Sequence, residues 1–192
     1  MKKSGWIILG VVVLLVLWGL SSYNGIIGVQ EQATTELANV QTQYQRRADM
    51  MPQLAKIVKA YAKHEKETFE AVTKARAVGQ VKLDASNLTP EKLKAYSDAQ
   101  GELANAFSKL MVVAEKYPEL KASDNFKSLQ IQEEGTENRI SEARRKYNDA
   151  VQQYNLKVRK MPTAIIANLF GFQTMPKFEA AAGAEKAPDL DI

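Results

Sequence analysis

Few residues in this 192-residue chain could do chemistry, and the densest group is Gln45-Arg46-Arg47-Ala48-Asp49-Met50-Met51-Pro52. Arg47 falls on an apolar helical stripe, and a charge buried there has to be paired. Asp49, Glu65, Glu133 and Glu137 are its candidate partners. One reading is a polar layer that fixes helix register, as single polar core positions do in coiled coils. The other is a partner-binding patch that also uses Arg46, Asp49 and the later run Glu137-Asn138-Arg139. Gly135 lies mid-helix, where it costs about 1 kcal/mol relative to Ala. Close approach of a neighbouring helix, near Pro52, would explain it. Tyr147 and Tyr154 are seven residues apart and share a helix face. Their rings suit core packing with the hydroxyls reaching polar partners; a ligand groove is the alternative.

Several chemistries are disfavoured. With no cysteine there are no disulfides, thiolate metal sites or cysteine nucleophiles. His64 is the single histidine, flanked by Lys63, Lys66, Glu67 and Glu70, which pair at i,i+4 on a solvated face. One histidine without cysteine makes a poor transition-metal site. The carboxylates alternate with lysines and have no enclosed cleft, so a general acid–base pair is not expected. The glycines are scattered and form no phosphate loop. No catalytic residue, metal ligand or cofactor is therefore expected. The net charge of +4 is modest, with acids and bases mixed. The mild basic cluster over Arg144–Lys160 suits a solvated helix end, with anionic lipid or an acidic partner as the alternative. Nucleic acid is not an expected partner, because no basic stripe interleaves with aromatic residues.

The elements that hold these residues begin with an anchor. From Ser4 to Gln30 there is no charged residue. A helix over Ser4–Tyr23 would be roughly 30 Å long, the thickness of the hydrocarbon core. Trp6, Trp18 and Tyr23 stand near its ends, where aromatic rings prefer the membrane interface. A cleavable signal peptide is the competing reading, with Gly19-Leu20-Ser21 as a weak cleavage site. Lys2 and Lys3 precede the span, and no Lys or Arg follows until Arg46. That asymmetry places the N-terminus in the cytoplasm and the body outside.

Beyond the anchor, Ala33, Leu37, Val40, Tyr44, Arg47, Met51, Leu54, Val58, Tyr61, Glu65, Thr68 and Val72 step alternately by four and three. That is the seam of one long helix over Val29–Val78, about 75 Å in length and ended by Gly79. The phase does not reset at Pro52, which favours a kinked continuous helix over a break there. A polar loop, Gln80–Thr89, follows. The next helix starts with Thr89 as N-cap, Pro90 in the first turn and a Leu88–Leu93 staple. Its stripe runs from Leu93 to Tyr117, and Pro118 stops it. The short connection Pro118–Ala122 implies an antiparallel third helix beside the second, from an N-cap at Ser123 to about Met161. Thr163–Phe172 is too short to span a bilayer; it reads as a helical cap docked on the bundle, with membrane-surface contact as the alternative.

Several groups of residues, in order, carry a resemblance. They are Tyr23-Asn24, Gln45 to Leu54, Val58-Lys59, Tyr61 to Glu65, Tyr117 to Ala122, Gly135 to Ile140, Ala143-Arg144, Tyr147-Asn148, Val151 and Tyr154-Asn155. Over nearly the whole chain, to about Phe172, this resembles the bacterial LemA family. Met50-Met51 departs from the bulkier aliphatic pair common there, a swap a core accepts. The resemblance implies an N-terminal anchor and a long antiparallel four-helix body, in which the kinked long helix counts as two. It implies no enzymatic activity. The association of some relatives with magnetosome biogenesis implies membrane organisation instead.

The expected protein is all-α: a membrane anchor at 1–23, a three- or four-helix bundle with a kinked first helix at 24–172, and a flexible tail at 173–192. The bilayer, through residues 4–23, is one expected partner. A second copy is another, because the first helix would outreach the second, and an envelope protein is a third. The expected role is a non-catalytic scaffold or adaptor at the cytoplasmic membrane, with a regulatory subunit of an envelope enzyme as the alternative.

Overall fold

The computed structural model describes residues 3–179. Among them the fold is all-helical. Helix α1 covers Lys3–Tyr61, α2 Lys66–Gly79, α3 Pro90–Glu115, α4 Pro118–Ala122, α5 Asp124–Arg159 and α6 Thr163–Leu169. A single 3-10 turn lies at Ala85–Asn87.

Helix α1 is the spine. It carries the apolar run and the heptad stripe in one uninterrupted helix of 59 residues, with Pro52 inside it. At the usual rise this is about 88 Å. From Ala33 to Val58 every stripe position is buried. The preserved phase therefore reports a real continuity: the proline does not divide the helix.

The helix nevertheless stops earlier than its sequence suggests. Tyr61 is exposed, and the chain turns at Ala62–Glu65 before α2 begins. The expected single helix over Val29–Val78 is thus two helices. No glycine or proline marks the turn, so local chemistry does not announce it. Tertiary packing does: Ala62, the first residue of the turn, is buried, and Val72 and Ala75 of α2 are buried in the same cluster, which holds Leu103, Leu110 and Leu120. Helix α2 packs mainly on α3 and less on α1. A second phase, starting at Phe69 and independent of the first, is what the run of four-and-three steps conceals.

Helix α5 packs along α1, its principal partner, rather than along α3 as the short connection implied. The pairing is antiparallel and keeps register. Arg47 meets Glu137, while Ile26 and Val158 share a cluster nearer the apolar end. The residues from Ile26 to Arg47 thus match an equal number from Glu137 to Val158. The body segment of α1, from Ile26 to Tyr61, is as long as the 36-residue α5. Helix α1 does outreach the 26-residue α3, and α5 covers the stripe that α3 leaves open.

Local capping is as the sequence implies. The Thr89 side chain accepts from the Lys92 amide with Pro90 in the first turn, and that of Ser123 accepts from the Phe126 amide. Buried Gln100 donates from Nε2 to the Gly79 carbonyl at 2.8 Å, closing the end of α2. Gln41 binds both backbone groups of Leu83, accepting from its N–H at 3.0 Å and donating to its carbonyl at 3.3 Å. The polar loop after α2 is thereby tied to the spine.

Candidate functional site

Two polar assemblies are built on the α1–α5 seam. The first is a charged layer at mid-body. Arg47 is 3% exposed, and its Nε lies 3.3 Å from Glu133 Oε1. Its other guanidinium arm pairs with Glu137, whose side chain is half-exposed. The Arg47 guanidinium also lies 5.8 Å from the Tyr44 ring centroid, a cation–π distance. Burial pushes the Glu133 carboxyl up, opposed by Arg47, and lowers the Arg47 pKa, opposed by Glu133. Both shifts point the same way: desolvation outweighs the pair's mutual attraction. Glu133 Oε2 finds no hydrogen-bond donor among the described residues. A layer so incompletely satisfied contributes little net stability. Of the four candidate partners, Glu133 and Glu137 are used. Asp49 instead accepts from Gln45 Nε2 at 2.9 Å, and Glu65 lies in the turn after α1.

The second assembly is a ladder on α5, nearer the apolar end. Asn155 binds both backbone groups of Met175, accepting from its N–H at 2.8 Å and donating to its carbonyl at 2.9 Å. Asn148 does the same to Phe178, with both distances 2.9 Å. The Tyr154 hydroxyl donates to the Gln173 carbonyl and the Tyr147 hydroxyl to the Pro176 carbonyl, each at 2.8 Å. The spacing has a geometric cause. Seven helical residues rise about 10.5 Å, and three extended residues span about 10 Å. Asn148 and Asn155 are seven apart, while Met175 and Phe178 are three apart, so both rungs close together. Phe178 is buried, edge-on to Tyr147 at 5.3 Å and beneath the Arg144 guanidinium at 5.0 Å. Arg144 also donates to the Glu179 carbonyl at 2.7 Å. Burial pushes both tyrosine hydroxyls up.

This ladder corrects the flexible tail expected from 173. Residues 173–179 form a docked, non-helical strap; the remainder, 180–192, lies outside the described residues. It also gives Tyr147 and Tyr154 their role, as buried rings whose hydroxyls grip a backbone. Asn148 and Asn155 hold the strap, and their signal in the sequence is the Tyr-Asn pair that recurs at 147–148 and 154–155.

The remaining candidates fall elsewhere. Arg46 and Asp49 line an open groove beside Val81 and Lys82. Asn138 and Arg139 line a second shallow groove with Glu36, Asn39 and Glu142. Pro52 faces α2, beside Val72 and Arg76. Gly135 does not fit its expected role: a Cβ there would meet nothing within 4 Å. The exposed His64 lies in the turn at 62–65 rather than on a helix face. Trp6 is exposed near the start of the apolar run, while Trp18 and Tyr23 are partly covered by α6.

Comparison with known proteins matches residues 36–191 to the profile described as the LemA family. Magnetosome protein MamQ 1 and Magnetosome protein MamQ 2 of Paramagnetospirillum magneticum are each 26% identical to this chain, covering 83% of it and 65% of their own length. Magnetosome protein MamQ of Magnetospirillum gryphiswaldense is 26% identical, over 85% of this chain and 67% of its own. The chain thus spans about two thirds of the length of the curated relatives it matches.

Proposed function

This chain belongs to the LemA family, and from that premise we propose that it is a membrane-anchored helical scaffold or adaptor without catalytic activity of its own. One observation carries the reading. A single helix, α1, is exposed and apolar from Trp6 to Leu17 and buries one stripe, Ala33 to Val58, against the fold beyond. Its apolar window has no part buried within the fold. That separates it from the core helix of a soluble protein, because its apolar surface has only lipid to meet. A rigid helix that leaves the bilayer without a break holds the body at a fixed distance and angle from the membrane.

Retention of the anchor is supported by the packing of α6. Ile166 lies against α1 at Gly19, where a Cβ would be 3.7 Å from Ile166 Cδ1. Cleavage after Ser21 would strip Trp18 and Gly19 from that contact. Lys2 and Lys3 support an orientation with the N-terminus in the cytoplasm and the body outside. A role in membrane organisation fits a rigid arm of this kind.

A second reading is a regulatory subunit that docks an envelope enzyme. The mixed-charge groove beside Arg46 and Asp49 favours it. With α5 covering the stripe that α3 leaves open, self-association rests on the scaffold reading alone. Crosslinking in intact membranes, followed by affinity purification, separates these readings. The scaffold gives ladders of self-copies. A strictly monomeric ladder with one stoichiometric second protein supports the regulatory subunit and sinks the self-associating scaffold.

A further inference from the structure

Helix α6 has two faces with different surroundings. One is docked: Ile166 and Ala167 are buried in a cluster with Ile26, Tyr154 and Val158, and Trp18 and Tyr23 of α1 pack against it. Tyr23 meets the Phe170 ring edge-on at 4.8 Å and the Phe172 ring at 5.6 Å. The other face is bare. Met161 is 66% exposed, Ile165 53%, Leu169 74% and Phe170 58%.

Its position identifies what covers that face. Helix α6 touches α1 at Gly19, four residues inside the Tyr23 end of the apolar run. By rise per residue this is about 6 Å into the span. An amphipathic helix lying in a bilayer interface buries its apolar face about 5–10 Å deep, so the two depths coincide. The charges agree. Between Asp149 and Glu179 there is no acidic residue, while Lys157, Arg159, Lys160 and Lys177 are present. Lys157 reaches α1 at Gly25, where a Cβ would lie 3.0 Å from its Nζ. That level is just beyond the aromatic end of the span, where lipid headgroups sit.

We propose that α6 is a second membrane contact: an interfacial helix docked on the transmembrane segment, with Ile165, Leu169 and Phe170 in the acyl–headgroup boundary and Lys157, Arg159 and Lys160 at the headgroups. The inference rests on the reading of residues 4–23 as a bilayer span. With two contacts the body is fixed in rotation about α1 as well as in height. The patch is continuous with the apolar surface of the anchor, and lipid covers both.

The absence of cysteine makes a direct test simple. The full chain is reconstituted into phosphatidylethanolamine–phosphatidylglycerol vesicles with a nitroxide label at one site: Ile165→Cys, Leu169→Cys, Val12→Cys in the span, or Ile131→Cys on the distal body. The readout is the ratio of collision with oxygen to collision with a water-soluble nickel chelate. Labels at 165 and 169 are expected to show ratios several-fold above that at 131, and below or equal to that at 12. A lipidic label at 12 with aqueous labels at 165 and 169 overturns the α6 contact and leaves the anchor standing. An aqueous label at 12 overturns the anchor and the α6 contact with it. Labels at 165 and 169 shielded from both reagents show a protein neighbour in place of lipid, which also refutes the proposal.

Discussion

Replacing Arg47 with methionine removes the cation of the buried layer and leaves its volume nearly filled. Two carboxylates lose their partner, with unequal consequences. The Glu137 side chain is 49% exposed and rehydrates, so it adds little. The Glu133 side chain is 6% exposed and cannot. Breaking a buried pair in this way costs about 3–5 kcal/mol at neutral pH. The cost depends on pH, and the sign follows from Glu133. Burial already raises its pKa above the ordinary 4.5, and Arg47 is the main influence pulling it down. In the variant it rises further. The folded state then holds a proton that the unfolded chain has released, so stability falls as pH rises from about 4.5 through the raised value. Below that window the deficit is smallest, because Glu133 is protonated in both states. Urea titration of the full chain in nanodiscs, at about pH 4 and about pH 8, measures both limits. Arg47→Met/Glu133→Leu is expected to recover wild-type stability or exceed it, since apolar replacement of a buried pair is often neutral or better. A single variant that loses under about 0.5 kcal/mol at both pH values would refute the buried layer, that being the range for surface substitutions.

Three smaller changes probe other parts of the fold. Gly135→Ala meets open space and is expected to stabilise the bundle by about 0.8–1.0 kcal/mol; a loss of stability would revive a close helix approach there. Asn155→Leu removes two hydrogen bonds to Met175 and is expected to cost about 1–3 kcal/mol. Hydrogen exchange at the Met175 and Phe178 amides should rise together, because one strap spans both rungs; unchanged protection at Phe178 would show that they act separately. Thr89→Ala loses the cap at the Lys92 amide and should cost about 1 kcal/mol by thermal melting, with a null result showing that Pro90 and the Leu88–Leu93 contact suffice.

What the sequence made legible depended on how local the cause was. The stripe from Ala33 to Val58, the caps at Thr89 and Ser123 and the charge of Arg47 all express rules that act within a few residues, and each stands in the structure. The turn at 62–65 was hidden because it is imposed by the docking of α2 on α3, and the heptad phase runs across it by coincidence. The pairing of α5 with α1 was hidden because a short connection speaks only for sequence neighbours. The strap escaped for a related reason. Residues 173–179 have no periodicity of their own and take their conformation from the Tyr-Asn repeat on α5. Of the polar sites, Arg47 with Glu133 and Glu137 could be read as a pair because burial of a charge demands one. Asn138 and Arg139 gave no such constraint, and they line an open groove.

The central claim is that α1 is a retained anchor continuous with the body. Intact-mass measurement of the protein recovered from native membranes after alkaline carbonate washing tests it most directly. The protein is expected to stay in the membrane pellet with residues 4–23 included in its mass. A species released by the wash, with a mass lacking the segment up to Ser21, would contradict it.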